Sequence, residues 1–156
     1  MPSNIKLSPC PLPTTNDQEI DLTQLQGQWI ILYFYPKDAT PGCTVEAQQF
    51  REAHAKFTAL NAIILGVSRD NITSHEKFKH KEQLPFDLLS DEQAHLCEQF
   101  GVMKLKNRYG KSIRGIERST FIIDPDGVVQ HEWRNVKVAD HVREVYQTLI
   151  HLQHGS

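Results

Sequence analysis

The chain has 156 residues, of which 39% are hydrophobic and 23% charged, and its net charge is -2 with histidine neutral. These values are typical of a globular protein, so we expect one domain over residues 1–156 and no nucleic-acid partner. No apolar run approaches the ~20 residues that cross a bilayer, so we expect no membrane partner either.

The N-terminal stretch Met1–Thr15 contains four of the eight prolines and is predicted to be an extended lead-in. It lacks the basic and apolar stretches of a secretory signal, so we expect a cytoplasmic protein. The cytoplasm is reducing, and the three cysteines Cys10, Cys43 and Cys97 are too few for a disulfide scaffold. At least one thiol therefore needs another explanation.

Trp29–Tyr35 is a continuous apolar run rich in β-branched and aromatic residues, which predicts a strand buried on both faces. Ala62–Val67 is a second run of this kind. Between them, apolar residues recur at helical spacing from Thr44 to Leu60, with Glu46 among the residues assigned to the polar side. Strand, helix and strand in this order predict a βαβ unit with parallel strands.

The next segments alternate in the same way. Thr73 and Glu76 form a candidate capping box for a helix that ends near Gln83. A short strand is predicted at Pro85–Leu89. Ser90 and Gln93 are candidate caps of a second short helix, which Gly101 should end.

Met103–Arg118 is polar and basic, so we predict a loop. Strands are expected at Thr120–Ile123 and Val128–Trp133, joined by a type I turn with a bulge at Asp124–Gly127. A last helix should begin near Asp140. Together these elements predict an α/β three-layer sandwich, with a central mixed sheet flanked by helices.

The segment Pro36–Thr44 follows the most apolar strand and opens the first long helix, where active groups of open α/β sheets gather. Cys43 would lie in the first helical turn, whose free amides and dipole stabilise a thiolate. An ordinary thiol is already ionised to roughly 5–10% near neutral pH, so ionisation alone gains only about tenfold. A fast thiol reaction also needs donors that position the substrate and stabilise the group that leaves, such as the Thr40 hydroxyl and an arginine from elsewhere.

Pro36, Thr40 and Cys43 match the peroxiredoxin pattern P-x-x-x-T-x-x-C. The chain resembles the bacterioferritin comigratory protein (BCP, or PrxQ) branch of that family in the segments FYPKDATPGCTVEAQQFR, LLSDEQAHLCEQFGV and GIERSTFIIDPDGVV. The resemblance implies a thioredoxin-like fold with Cys43 as the peroxidatic cysteine. It also implies that Pro36 shields the sulfur, Thr40 binds peroxide and Arg118 is the active-site arginine.

The second cysteine that many members carry is missing at both of its usual positions, which are Gln48 and Lys79 here. Cys97 and Cys10 are the possible resolving cysteines, although an inert buried thiol is the commoner state for Cys97. Without a resolving cysteine, the reductant would be an external thiol of the thioredoxin, glutaredoxin or glutathione type. The resemblance favours a monomer.

The expected activity is thiol-dependent reduction of hydrogen peroxide and organic hydroperoxides in antioxidant defence. A disulfide reductase would need a cysteine at Thr40, and a cysteine phosphatase would need an arginine closer to Cys43 than Arg51. A non-catalytic redox sensor or partner-binding module on the same fold is the alternative.

The histidines show no compact metal pattern, and we expect neither a metal nor another cofactor. Four of them are predicted to lie on the surface: His75, His80, His131 and His141.

Overall fold

The computed structural model describes residues 5–155, apart from the side chain of Arg108. The strands are Leu12–Thr14 (β1), Gln18–Ile20 (β2), Trp29–Phe34 (β3), Ala62–Ser68 (β4), Asp87–Ser90 (β5), Met103–Arg108 (β6), Lys111–Ile116 (β7), Ser119–Ile123 (β8) and Val129–Trp133 (β9). The α-helices are Pro41–Ala59 (α1), Ile72–Glu82 (α2), His95–Gln99 (α3) and His141–His154 (α4). None of these helices is long and apolar enough to cross a membrane.

The central sheet has seven strands in the order β2-β1-β5-β4-β3-β8-β9. β3, β4 and β5 are parallel, and the other pairs are antiparallel, so the sheet is mixed as predicted. Trp29 pairs with Ala62 and Phe34 with Val67 across the parallel pair β3 and β4, which confirms the βαβ unit around α1.

The sheet separates two hydrophobic clusters, and alternate residues of β3 contribute to each. Ile31 and Tyr33 pack with α1, α2 and α4 on one side, which we call the α1 face. Ile30, Leu32 and Phe34 pack with α3 on the other side, which we call the α3 face. Helices cover both faces, and the predicted three-layer architecture is confirmed.

Several predicted helix starts were wrong. Asn71 caps α2 by accepting a hydrogen bond from the Ser74 amide at 2.8 Å, so Thr73 and Glu76 do not form its capping box. Ser90 and Gln93 do not cap α3, because β5 continues to Ser90 and the helix begins only after Ala94, which has a positive φ of 62°. Gly101, with a φ of 66°, follows the end of α3 as expected.

The segment from Met103 to Arg118 was predicted to be a loop, but it forms the antiparallel hairpin β6 and β7. Its two-residue turn consists of Tyr109 and Gly110, whose φ angles are 51° and 76°, as a type I′ turn requires. Leu105 and Ile113 are exposed, so the usual alternation of buried apolar and exposed polar residues is missing from this hairpin. The composition of this segment therefore does not indicate the hairpin.

The predicted turn at Asp124–Gly127 is present. The Gly127 amide donates to the Asp124 carbonyl at 2.9 Å. Just before this turn, the pairing register shifts between Ile122 and Ile123, as expected for a bulge. This turn joins β8 to β9 at the sheet edge, and β8 follows directly after Arg118.

Candidate active site

Residues 35–40 link the carboxyl end of β3 to α1, and Cys43 lies in the first turn of this helix, as the sequence predicted. Pro41 opens the helix and Thr40 occupies its N-cap position. The cysteine is only 2% exposed and packs in the cluster of the α1 face. Its sulfur is thus held at a helix start with little contact with solvent.

Arg118 contacts the sulfur. Its Nη2 donates to Cys43 Sγ at 3.4 Å, which is the contact that the sequence predicted. The arginine lies in the short link between β7 and β8 rather than on a strand, and its carbonyl accepts from the Val136 amide at 2.9 Å. A Cβ atom at Gly42 would lie 3.2 Å from Nη2, so the glycine gives the guanidinium room to reach the sulfur.

Glu46 holds the other arm of the guanidinium, and sequence reasoning missed it. Arg118 Nη1 donates to Glu46 Oε1 at 2.7 Å, and the Glu46 side chain is fully buried. Burial raises the pKa of Glu46 to about 7, although the Arg118 charge and hydrogen bond oppose this rise. Burial also lowers the pKa of Arg118, but Glu46 and Cys43 outweigh it and the net shift is upward. Arg118 is therefore a fixed cation between a carboxyl group and a thiol.

Thr40 points its hydroxyl back along the chain. Its Oγ1 donates to the Lys37 carbonyl at 2.8 Å and makes no capping hydrogen bond to α1. The Thr40 carbonyl instead accepts from the Thr44 amide at 2.9 Å. Thr40 is half-exposed and Pro36 is exposed, whereas Cys43 is buried. Oγ1 keeps its acceptor capacity.

Tyr33 is buried in the same hydrophobic cluster as Cys43. The His141 ring is also buried and contacts this cluster at Phe50. His141 was predicted to lie on the surface, but it is 2% exposed and its Nε2 is 2.7 Å from Thr120 Oγ1. Burial and the nearby Arg118 lower the pKa of His141 to about 4, so it is neutral at pH 7. Tyr33 is 1% exposed, and burial followed by the charge of Glu46 raises its pKa well above the usual value.

The other three histidines that were predicted to lie on the surface differ in their exposure to solvent. His80 is exposed as predicted, and His131 is half-buried. His75 is fully buried, so its prediction was wrong. Among the described residues, His75, Asp38 and Asp70 bring one potential ligand atom each within 4.8 Å of one another.

The other two cysteines belong to the α3 face. Cys97 is fully buried there, and its amide donates to Asp91 Oδ2 at 2.8 Å. Burial and then the Asp91 charge raise the pKa of Cys97, and the same two causes raise that of the half-buried Cys10. The central sheet lies between these thiols and Cys43.

The two positions that usually carry a resolving cysteine hold polar side chains with partners. Gln48 Nε2 donates to Glu82 Oε1 at 2.8 Å, which links α1 to α2. Lys79 Nζ donates to Asp87 Oδ1 at 2.8 Å, which links α2 to β5. Both positions therefore contribute to packing between elements.

Comparison with known proteins decides the family. The model of the AhpC/TSA family matches residues 6–132. Peroxiredoxin Bcp of Bacillus subtilis is 54% identical over 132 residues, which cover 85% of this chain and 84% of that protein. The chain belongs to the peroxiredoxins. This peroxiredoxin is an enzyme that reduces peroxides at the expense of a thiol, and it belongs to the Bcp or PrxQ branch that its segments resembled.

Solved structures of related proteins agree with this family assignment. The bacterioferritin comigratory protein of Xanthomonas campestris, studied for its alkyl peroxide reduction activity, is 45% identical with a TM-score of 0.88, over 90% of both chains. The peroxidoxin BcpB of Mycobacterium tuberculosis is 30% identical with a TM-score of 0.83, over 96% of this chain and 97% of its own. These relatives support the thioredoxin-like fold and give no support to a non-catalytic redox sensor.

Proposed function

We propose that Cys43 is the peroxidatic cysteine and that Thr40, Arg118 and Pro36 complete the peroxide site. The observation that carries this proposal is the 3.4 Å contact from Arg118 Nη2 to the sulfur at the start of α1. A guanidinium in this position stabilises a thiolate, and so do the free amides of the first helical turn. It also presents a fixed positive charge where the peroxide oxygens would gain electrons.

In the proposed reaction, the Cys43 thiolate attacks the terminal oxygen of a hydroperoxide. A sulfur–oxygen bond forms while the oxygen–oxygen bond breaks, and the remaining oxygen leaves as water or an alcohol after it takes up a proton. The sulfur loses two electrons to the peroxide and becomes a sulfenic acid. Arg118 stabilises the charge on the departing oxygen, and the Thr40 hydroxyl orients the peroxide.

Two side chains act on this reaction without touching the substrate. Glu46 receives Arg118 Nη1 at 2.7 Å, so it fixes the direction of the guanidinium toward the sulfur. Pro36 lies at the exposed entrance, where its ring limits the access of water to the sulfur.

The substrates that we propose are hydrogen peroxide and organic hydroperoxides. The alkyl peroxide reduction activity of the Xanthomonas campestris relative supports the organic class. The polar groups near the sulfur contact only the two peroxide oxygens in this scheme, so the alkyl group would lie toward the exposed entrance at Pro36 and Gly42.

We further propose that the reductant is an external thiol, from a thioredoxin, a glutaredoxin or glutathione. Cys10 and Cys97 lie with the α3 face, and a disulfide with Cys43 would require α-carbons within about 7 Å. An external thiol would condense with the sulfenic acid, release water and form a mixed disulfide. A second thiol would then restore Cys43.

The first test is replacement of Cys43 by serine. Peroxide consumption in the presence of a thiol should fall to the uncatalysed rate, because serine cannot form a sulfenic acid. Cys97→Ser and Cys10→Ser serve as matched controls and should retain turnover. Persistent turnover by Cys43→Ser would contradict the assignment.

The second test is peptide mass mapping under non-reducing conditions after one equivalent of peroxide and then one equivalent of glutathione. We expect Cys43 first as a sulfenic acid and then as a mixed disulfide with glutathione. A Cys43–Cys97 or Cys43–Cys10 peptide at full occupancy would overturn the proposed recycling while leaving the peroxide step intact.

We also propose that the chain is a single domain over residues 1–156, monomeric and cytoplasmic. The C-terminal helix α4 packs against α1, with Tyr146 and Phe57 in edge-to-face contact at 5.6 Å, which supports one continuous unit. Light scattering at micromolar concentration should give a mass near 17.9 kDa. A dimer mass would contradict the monomer.

A further inference from the structure

A buried polar network beside the site involves residues to which the proposed mechanism gives no role. Asp38 is 7% exposed and lies between Pro36 and Thr40 in the segment that leads into α1. Its Oδ1 accepts from Tyr35 Oη at 2.6 Å, and its Oδ2 accepts from Ser74 Oγ at 2.8 Å and faces His75 Nδ1 at 2.7 Å. The network thus joins the active-site segment to α2.

The hydrogen-bond partners of His75 fix its proton count. Nε2 lies 2.9 Å from the Leu89 carbonyl, which can only accept, so Nε2 carries a proton. Nδ1 faces Asp38 Oδ2, so a bare Nδ1 against an ionised carboxylate would bring two lone pairs together. One further proton must therefore lie between the ring and the carboxyl group. Because Tyr35 and Ser74 also donate to Asp38, the arrangement favours an imidazolium paired with a carboxylate.

The same contacts distinguish this network from a metal centre. His75, Asp38 and Asp70 have the ligand types for a cation, but the atoms that would face it already have donors or acceptors. Asp70 Oδ2 accepts from the Asp38 amide at 2.9 Å and from Ser68 Oγ. Both nitrogens of His75 are engaged. The contacts fit a rigid hydrogen-bonded clamp.

What this clamp holds is a strained segment. Ala39 has a φ of 63°, a conformation that costs a non-glycine residue roughly 1 kcal/mol or more. Its neighbour Thr40 donates to the Lys37 carbonyl at 2.8 Å, so the hydroxyl position depends on the path of residues 37–40. Strain of this kind persists only where surrounding contacts fix the backbone. The side chain and the amide of Asp38 provide those contacts.

We infer that the His75–Asp38 pair is a positioning device that holds residues 37–40 in the conformation that presents Thr40 and Cys43 to peroxide. The pair does not touch the substrate. This inference rests on the proposed function, because it assigns the pair a role in the oxidation of Cys43. His75 is placed for it by α2, and its second nitrogen ties the same clamp to β5 through Leu89.

The test is the rate of Cys43 oxidation by hydrogen peroxide in stopped flow. In His75→Leu both ring contacts are lost, and a shift of Thr40 by about 1 Å would slow oxidation on the order of 100-fold. His75→Asn keeps an N–H donor near Nδ1 and should recover part of the rate. Phe78→Leu is the matched control, since it trims a buried side chain of α2 without removing a polar contact, and its rate should stay within about threefold.

Each outcome separates the inference from its rivals. An unchanged rate in folded His75→Leu would overturn it, and so would an equal slowing in Phe78→Leu, which would indicate a general loss of packing. If His75→Leu does not fold, Ser74→Ala removes one donor to Asp38 and should slow oxidation by about tenfold, with an unchanged rate again contradicting the inference. Failure of the proposed function would differ, because unaltered protein would then show no oxidation of Cys43.

The proton count has its own measurement. Nitrogen-15 NMR of the His75 ring in the reduced protein should show Nε2 protonated and Nδ1 either protonated or accepting a proton from Asp38. A ring with its proton on Nδ1 alone would contradict the assignment, because Nε2 would then be bare against the Leu89 carbonyl.

Discussion

Cys43 and Cys97 are buried to almost the same extent, on opposite faces of one sheet, yet their surroundings differ in charge. Cys43 is 2% exposed and receives a hydrogen bond from the Arg118 guanidinium. Cys97 is 0% exposed and lies beside the Asp91 carboxylate. A nearby cation favours a thiolate, whereas burial next to an anion raises the pKa of Cys97 and keeps it a thiol.

Burial alone therefore does not distinguish a reactive cysteine from an inert one. The position of each thiol relative to the sheet adds a second difference. Cys43 follows the carboxyl end of β3 and starts a long helix, whereas Cys97 lies within the short helix α3 in an apolar cluster. Four substitutions test which of these differences matters, in decreasing order of expected effect.

Arg118→Met should have the largest effect. It removes the cation that contacts the Cys43 sulfur and would stabilise the departing peroxide oxygen, so we expect oxidation of Cys43 by peroxide to slow by about 100- to 1000-fold. Stopped-flow kinetics would measure this rate. Arg114→Met is the matched control, because Arg114 pairs with Glu98 on the surface and should not affect the rate. Equal rates for Arg118→Met and unaltered protein would remove the basis of the comparison.

Glu46→Gln should change how stability depends on pH. Burial raises the pKa of Glu46 from 4.5 to about 7, so the folded state retains this proton to a higher pH than the unfolded chain does. The resulting stabilisation is fully present below about pH 4.5 and is lost as pH rises through about 7, a change on the order of 3 kcal/mol. Glutamine does not titrate, so the variant should avoid this loss.

Urea unfolding at pH 5 and pH 8 would measure the effect. Relative to unaltered protein, the free energy of unfolding of Glu46→Gln should be higher at pH 8 than at pH 5. Glu52→Gln is the control on the exposed side of α1 and should show no such change. A parallel pH dependence of unaltered protein and Glu46→Gln would show that the buried carboxyl is ionised throughout.

Cys97→Ala should affect stability and leave activity unchanged. It leaves a small cavity in the apolar cluster of the α3 face, which we expect to cost about 1–2 kcal/mol of unfolding free energy. The rate of Cys43 oxidation should stay within about twofold, because the sheet lies between the two residues. A tenfold slower rate in a folded variant would mean that the two faces are coupled.

Gly42→Ala should have the smallest effect. Its Cβ would lie 3.2 Å from Arg118 Nη2, so the guanidinium would have to shift by a few tenths of an ångström. We expect oxidation to slow by about three- to tenfold while thermal stability is kept, since alanine favours the helix. An unchanged rate would show that the position of the guanidinium tolerates such a shift.

The sequence predicts which residues lie together at the start of α1, because they belong to one local motif. Cys43 and Thr40 surround the start of a helix that the chain pattern already indicates, and Arg118 follows from the resemblance alone. Glu46 was assigned to the polar side of the helix. Its spacing from Cys43 and Phe50 places it on the buried stripe, although an unpaired carboxyl group is seldom buried.

The errors at His75 and His141 share a physical cause, which is that the partners of each histidine lie far away along the chain. His75 can be buried because its two ring nitrogens contact Asp38 and the Leu89 carbonyl, and neither residue is a sequence neighbour. His141 packs beside Thr120 on a different element. The hairpin β6 and β7 has exposed apolar residues and no alternation, so its strands are held by pairing with each other.

The alternation of β3 has a kinetic consequence for the proposed recycling. A thiol tethered on the same side of the sheet would meet the oxidised sulfur at an effective concentration in the millimolar range or above. With both other cysteines on the opposite side, the proposed recycling step would be bimolecular, and its rate would rise in proportion to the amount of reductant in solution. The throughput of the enzyme would then report the reducing capacity of its surroundings.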